Sequence, residues 1–340
     1  MKNTIIFLLF LFAIFFIVKF MNITISSSRS CNSDGLFARE NTDIYRGWAI
    51  LIIMIGHISA CWNWVGLGPL GGMGVAMFLL LSGYGLHESY KKSGLKGFWK
   101  KKLLRIALPY VLFRIIWMMV EGDMNFHRWK SIIDCANSSF WYIDYLVRCY
   151  IAFWVACSLS RWHVKWVVLI VFALYSFFEL SVLCEAQAFS FISGIALSVN
   201  ADKVAGVKSK HWLLVMLISV VLGLGALAIK HHPMIHDNGD WEYIVLLLVQ
   251  NFTFAIIFII VLYLTRRWVG GQLITMFGSL SLELYIIHMR LLKPMVGDSV
   301  WQGLAMMITA TLLAYSFNKL TQQFMKFEKY INENRLSDNV

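Results

Sequence analysis

Charge is what this chain has least of. Asp, Glu, Lys and Arg make up 14% of its 340 residues, where soluble domains carry about a quarter. A chain so poor in charge cannot cover a water-facing surface, which excludes a soluble domain as its main body. Proline is scarce too, at four residues, and no Pro/Gly-rich linker or low-complexity tract divides the sequence. No segment repeats at a fixed period, which excludes a solenoid or propeller. The six cysteines include no CxxC pair, so there is no zinc or redox spacing and no basis for a disulfide framework.

What is present is apolar. Hydrophobic residues are 59% of the chain and the mean hydropathy is +0.66. They gather into runs at roughly 4–20, 47–63, 70–87, 103–120, 138–158, 166–182, 184–199, 212–229, 242–264, 272–291 and 300–318. Runs of this length suit helices that cross a bilayer, whereas barrel strands are shorter and alternate in character. The expected fold is all-α: a polytopic membrane helix bundle with about eleven transmembrane helices. Fourteen Trp and thirteen Tyr suit belts at the two membrane interfaces.

The formal charge of +11 does not call for a nucleic acid, because the Lys and Arg sit in short loops between apolar runs. One alternate set of loops holds twenty-one of them and the opposite set six. The rule that basic loops stay inside puts the first set and the C-terminus in the cytoplasm and the N-terminus outside, with membrane lipids as neighbours. Residues 4–20 read either as a retained helix or as a cleaved signal. Retention agrees with the position of the later basic loops.

Two ionisable residues share the second run. Arg46 and His57 are eleven positions apart, close to three helical turns, so they lie on one face about 16 Å apart along the axis. Arg46 is expected at the cytoplasmic mouth and His57 near mid-depth, where an ionisable side chain is costly and usually turns toward the bundle interior or a wet cavity. A hydrogen-bonded packing histidine would give the same pattern. The third run, at residues 71–84, is dense in small residues that let helices approach closely, and Ser82 and Tyr84 place hydroxyls near its cytoplasmic end. The most basic stretch follows, with Lys91, Lys92, Lys96, Lys100, Lys101, Lys102 and Arg105. Such cations suit anionic lipid heads or the phosphates of a cytoplasmic cofactor such as coenzyme A, and Arg105, nearest the next helix, is the best placed of them to touch a ligand.

Further ionisable residues fall in or at the ends of spans: Arg114, Asp144, Arg148, Glu185, Glu283 and His288. Helical spacing puts Glu283 and His288 on different faces, while Ser281 and Tyr285 share a face with His288. His231, His232 and His236 lie near Asp237 and Asp240, but their spacing matches no metal signature and no metal is expected.

In order and spacing these elements resemble the acyltransferase family 3 membrane proteins, bacterial O-acyltransferases related to O-antigen and exopolysaccharide acetyltransferases. The resemblance rests on Arg46, ten intervening residues and His57; on Phe78-Leu79-Leu80-Leu81-Ser82-Gly83-Tyr84; and on Phe98 with the basic run to Arg105 and Pro109. Weaker likenesses follow at Phe140-Trp141-Tyr142 and at residues 278–288, which end in His288. The family core has about ten helices, so residues 1–45 are expected to be an added N-terminal transmembrane helix and cytoplasmic loop. Residues 46–320 are then the acyltransferase domain and 321–340 a cytoplasmic tail.

The resemblance implies transfer of an acyl group, most often acetyl, from cytoplasmic acetyl-CoA to a hydroxyl of a cell-surface or lipid-linked saccharide at the bacterial inner membrane. A sugar hydroxyl is a poor nucleophile near neutral pH and needs a positioned base. His57 can be that base, and Arg46 can hold the donor. Ser82, Tyr84, Lys101, Lys102 and Arg105 are expected on the donor side, and Trp141, Tyr142 and His288 on the acceptor side. The competing class is a transporter of an acyl or sugar carrier, which would also need buried charges and small-residue helices.

Overall fold

A computed structural model describes residues 35–62, 67–133, 139–159, 161–179, 181–232, 235, 240–297 and 299–337. The expected first helix at 4–20 lies outside these residues, as do His236 and Asp237. Every regular element among the described residues is a helix. In chain order they are α1 (Arg39–Cys61), α2 (Pro69–Ser93), α3 (Phe98–Glu121), α4 (Phe126–Ile133), α5 (Trp141–Ser158), α6 (Trp162–Glu179), α7 (Val182–Glu185), α8 (Ser190–Val199), α9 (Ala201–Ala205), α10 (Ser209–Lys230), α11 (Trp241–Val269), α12 (Gln272–Ser279), α13 (Ser281–Met295) and α14 (Val300–Ser337). Seven segments among them are long and apolar enough to cross a membrane: Arg39–Cys61, Pro69–Ser93, Phe98–Glu121, Val182–Val199, Lys210–Lys230, Trp241–Val269 and Val300–Met325. The chain is a polytopic helical membrane protein.

Two boundaries differ from the apolar runs. Helix α1 starts at Arg39, eight residues before its run, because nothing in the polar stretch breaks a helix. Asn41 Nδ2 donates to Gly35 O (2.7 Å) and Tyr45 Oη to Leu36 O (2.9 Å), which ties the preceding turn to the helix. The second difference is in the run at 272–291, where the helix is interrupted at Leu280. Gly278 is pressed against the backbone of α1 at Asp43 O, and the Ser279 hydroxyl donates back to Met276 O (2.8 Å). Both features favour ending a helix there.

The chain forms two compact units, one of Met1–Leu95 with Tyr145–Ser279 and the other of Lys96–Asp144 with Leu280–Val340. In the first, α1 packs on α2 and α12, α2 packs on α8 and α11, and α10 lies along α11. Glycines allow these crossings. A Cβ at Gly83 would run into Phe191 O, one at Gly194 into Leu80 O, and one at Gly47 into Ile274 O. These helices touch backbone to backbone, the small-residue packing that holds membrane helices together without a hydrophobic driving force. By contrast Leu213, Leu217, Val221 and Leu224 of α10 are exposed, as expected of a face toward lipid. In the second unit, α13 packs on α14 and α3, and α4 on α3. Helix α3 contains a π-helical stretch at Leu103–Ala107. Pro109 brings no N–H to the ladder, and the wide turn before it accommodates that loss.

Candidate active site

Residues 49–56 of α1 are all buried, as are Ile58 and Ser59, yet His57 between them keeps part of its surface exposed. The same holds for Arg46 in its own stretch. Arg46 and His57 are thus both partly exposed on the face that three helical turns predict, while Trp48, also partly exposed, lies on another side and donates through Nε1 to Val269 O (3.1 Å). On the neighbouring face, Gly56 sits against Gly71 N, and Gly74 against Ala49 O, so α2 runs directly beside this face of α1.

Arg46 Nη1 donates to Asp43 Oδ1 at 3.2 Å, and both side chains stay about one-third exposed. A Cβ on Gly85 of α2 would stand 3.5 Å from Arg46 Nη2, at ordinary van der Waals contact, so the guanidinium lies along this edge of α2. Ser82, one turn earlier on the same side of α2, is half-buried. Arg46 and the Ser82–Gly85 edge are therefore together. Tyr84, two positions beyond Ser82, stacks on Phe37 (centroids 4.6 Å apart, 27° between planes).

A polar network at the same end of α2 had no signature in the sequence. Ser198 Oγ donates to Glu88 Oε1 (2.7 Å) and pairs with His87 Nδ1 (2.8 Å). Lys91 Nζ meets Glu88 Oε1 at 2.5 Å and also donates to Ser198 O (3.2 Å), and Lys165 Nζ donates to Tyr90 Oη (3.3 Å). The network joins α2 to α6 and α8. The only local hint was the i, i+3 spacing of Glu88 and Lys91. Ser198, more than a hundred residues away, could not be paired with them from sequence.

The remaining expected residues belong to the second unit. Lys101 and Arg105 are exposed, and Lys102 is half-buried with its ammonium 5.8 Å from the Phe98 ring centroid. These cations lie on the first turns of α3 rather than in a loop, and Arg105 is within the π-helical stretch. Tyr142 is buried and Trp141 half-buried. The Tyr142 ring packs edge-on to Tyr285 (5.3 Å), which packs on His288 (5.9 Å). Tyr285 Oη donates to Ser139 O (3.1 Å), and His288, fully buried, has Nδ1 at 2.7 Å from Leu284 O. Tyr142 and His288 thus meet around Tyr285, the residue that helical spacing put on the histidine's face. Glu283 turns the other way and accepts from Asn318 Nδ2 (2.7 Å).

Among the described residues no three His, Cys, Asp or Glu side chains are grouped to hold a metal ion. A model of the acyltransferase family 3 domain, described as an acyltransferase domain, matches residues 39–319. No curated protein and no solved structure matches the chain. The match begins at the first residue of α1 and so includes the polar turns ahead of Arg46.

Proposed function

Because the chain belongs to acyltransferase family 3, whose domain covers residues 39–319, and is a membrane acyltransferase that needs an acyl donor and an acceptor, we propose the following reaction. An acyl group, acetyl by default, passes from cytoplasmic acyl-CoA to a hydroxyl of a cell-surface or lipid-linked saccharide at the bacterial inner membrane. The observation that carries this reading is the one partly exposed residue in the buried core of α1, His57, on the same helix face as Arg46.

His57 acts as general base. Its imidazole takes the proton of the sugar hydroxyl as that oxygen attacks the thioester carbonyl carbon. The C–S bond then breaks, and the imidazolium returns the proton to the departing thiolate, giving the ester and free coenzyme A. Arg46, held by Asp43 on one side and lying beside Gly85 of α2 on the other, binds anionic groups of the donor through its planar fork. Ser82 and Tyr84 line the donor's path, and Lys101, Lys102 and Arg105 attract its phosphates. Trp141, Tyr142 and His288 hold the acceptor. In this arrangement residues 46–320 form the catalytic domain, residues 1–45 an accessory N-terminal segment, and the C-terminal tail faces the cytoplasm.

Thiol release tests the chemistry. Purified protein in lipid nanodiscs, given acetyl-CoA and extracted surface glycan, releases free coenzyme A. His57→Gln, inserted and monodisperse, should lower that rate by about a hundredfold or more. An unchanged rate in that variant would remove the histidine from the mechanism.

A further inference from the structure

The span Val182–Val199 is interrupted after its first turn: α7 ends at Glu185, α8 starts at Ser190, and a turn joins them. Interrupted backbone at membrane depth is tolerated where protein buries it or where it lines a cavity. Gln187 of this turn is 2% exposed and reaches the first turn of α2, where its Nε2 donates to Gly72 O (3.0 Å). Ser190 Oγ donates to Gln187 Oε1 (3.2 Å). A backbone carbonyl only accepts, so nitrogen is the amide atom turned toward α2, and this contact uses one of its two N–H groups.

Asn251 of α11 comes to the same glycine. It is 3% exposed, and a Cβ on Gly72 would run into its amide, with Nδ2 only 2.7 Å away. Two buried amides, one from the α7–α8 turn and one from α11, therefore touch one residue of α2. Asn251 Oδ1 is buried without a hydrogen-bond partner. Burying an unpaired amide oxygen is costly, and such an atom marks a place that a bound group completes. The chain neighbour Gln250 serves the opposite side of α11, where its Oε1 accepts from Lys230 Nζ of α10 (2.7 Å).

The two amides meet at the His57 end of α1, away from Arg46. A Cβ on Gly56, the residue before His57, would lie 2.8 Å from Gly71 N, and a Cβ on Gly71 would meet no described atom within 4 Å, which leaves room beside the glycine pair. The chemistry of the side chains selects the ligand. An amide N–H and an unpaired amide oxygen call for a group that accepts and donates at once. A hydroxyl does both, whereas a phosphate dianion or a carboxylate has no proton to give. The ionisable side chain of the turn is Glu185, 8% exposed, and an acidic group offers an anion no attraction.

We propose that Asn251 and Gln187, meeting at Gly72, form a hydroxyl-binding site for a neutral sugar of the acceptor, an acceptor contact beyond Trp141, Tyr142 and His288. The assignment of that sugar to the acceptor rests on the acyltransferase reading above; the hydroxyl site itself does not. For the test, oligosaccharides released from the surface glycan of a strain deleted for the gene are tagged with a fluorophore and split by anion exchange into a neutral and an acidic pool. Fluorescence anisotropy follows their binding to the full chain in nanodiscs of neutral lipid. The neutral pool should bind saturably, and Asn251→Leu and Gln187→Met, which keep the bulk and remove the amide, should each weaken it at least tenfold. Asn251→Leu should leave the unfolding midpoint where it is or raise it, because the buried unpaired oxygen goes with the amide. Should Asn251→Leu fail to purify as a monodisperse species, Gln187→Met decides the outcome. The site is overturned if the neutral pool does not bind saturably, if the acidic pool binds more tightly, if the variants bind unchanged, or if the midpoint of Asn251→Leu falls along with its binding. Thiol release from acetyl-CoA is measured on the same wild-type preparation. If that is absent while the neutral pool binds through Asn251, the hydroxyl site stands and the acyltransfer assignment falls.

Discussion

At Arg46 one carboxylate, Asp43, takes one end of the guanidinium, and the other end lies beside Gly85 of α2. A residue that holds the donor rather than touching the reacting carbon should act on affinity. Arg46→Ala is expected to raise the KM for acyl-CoA about tenfold, the scale of one charge-assisted pair, with a smaller change in kcat. Steady-state kinetics at saturating acceptor check this, and a selective loss of kcat would place Arg46 at the chemistry instead. Helical spacing made Arg46 and His57 legible as one face before any coordinates, because eleven positions close three turns whatever the surroundings. Spacing along one helix says nothing about partners on another. The packing of Tyr142 on Tyr285 depends on α5 and α13 coming together. The network of His87 and Glu88 with Ser198 was invisible for the same reason.

Between helices, α2 and α8 cross with Gly83 against Phe191 O and Gly194 against Leu80 O. Neither carbonyl can move aside without moving its helix. Gly83→Ala and Gly194→Ala should each destabilise the protein by about 2 kcal/mol, in the range of overpacked cores, read as a lower unfolding midpoint in detergent. Gly225→Ala on α10 is the contrast, since nothing lies within 4 Å of a Cβ there. Relief of the glycine's backbone entropy should make it neutral or stabilising by about 0.5 kcal/mol. Equal losses at all three sites would contradict close packing at the α2–α8 crossing. Element boundaries show where composition alone fell short. The apolar run located the core of α1 but not its polar first two turns, because hydropathy follows lipid contact whereas the helix follows backbone hydrogen bonds. The break at Leu280 escaped as well, since an unbroken apolar run hides an interruption set by contact with another helix and by the Ser279 hydroxyl.

For the whole molecule, the excess of basic residues in alternate loops predicts a definite sidedness. Single cysteines placed in a functional background lacking other reactive thiols should report it. A cysteine at Lys208 should be labelled by an impermeant maleimide only after cells are opened, and one at His231 in intact cells; the reverse pattern would invert the bundle and put Arg46 on the wrong side for a cytoplasmic donor. The helical membrane class followed from bulk composition, since a chain with so little charge has no other solvent. The acyltransferase family was legible in an ordered set of residues along α1, α2 and the start of α3. The meeting of Tyr142 and His288 around Tyr285 was not, because it joins side chains of α5 and α13 whose grouping no linear motif records. The central claim is that this chain acylates a saccharide and needs His57 to do it. Mass spectrometry of surface glycans from cells carrying the wild-type gene, the deletion or His57→Gln tests it most directly. The account predicts an acyl substituent present with the wild type and absent from the other two, with the variant protein at normal levels in the membrane. Glycans identical in all three strains, or still acylated with His57→Gln, would contradict it.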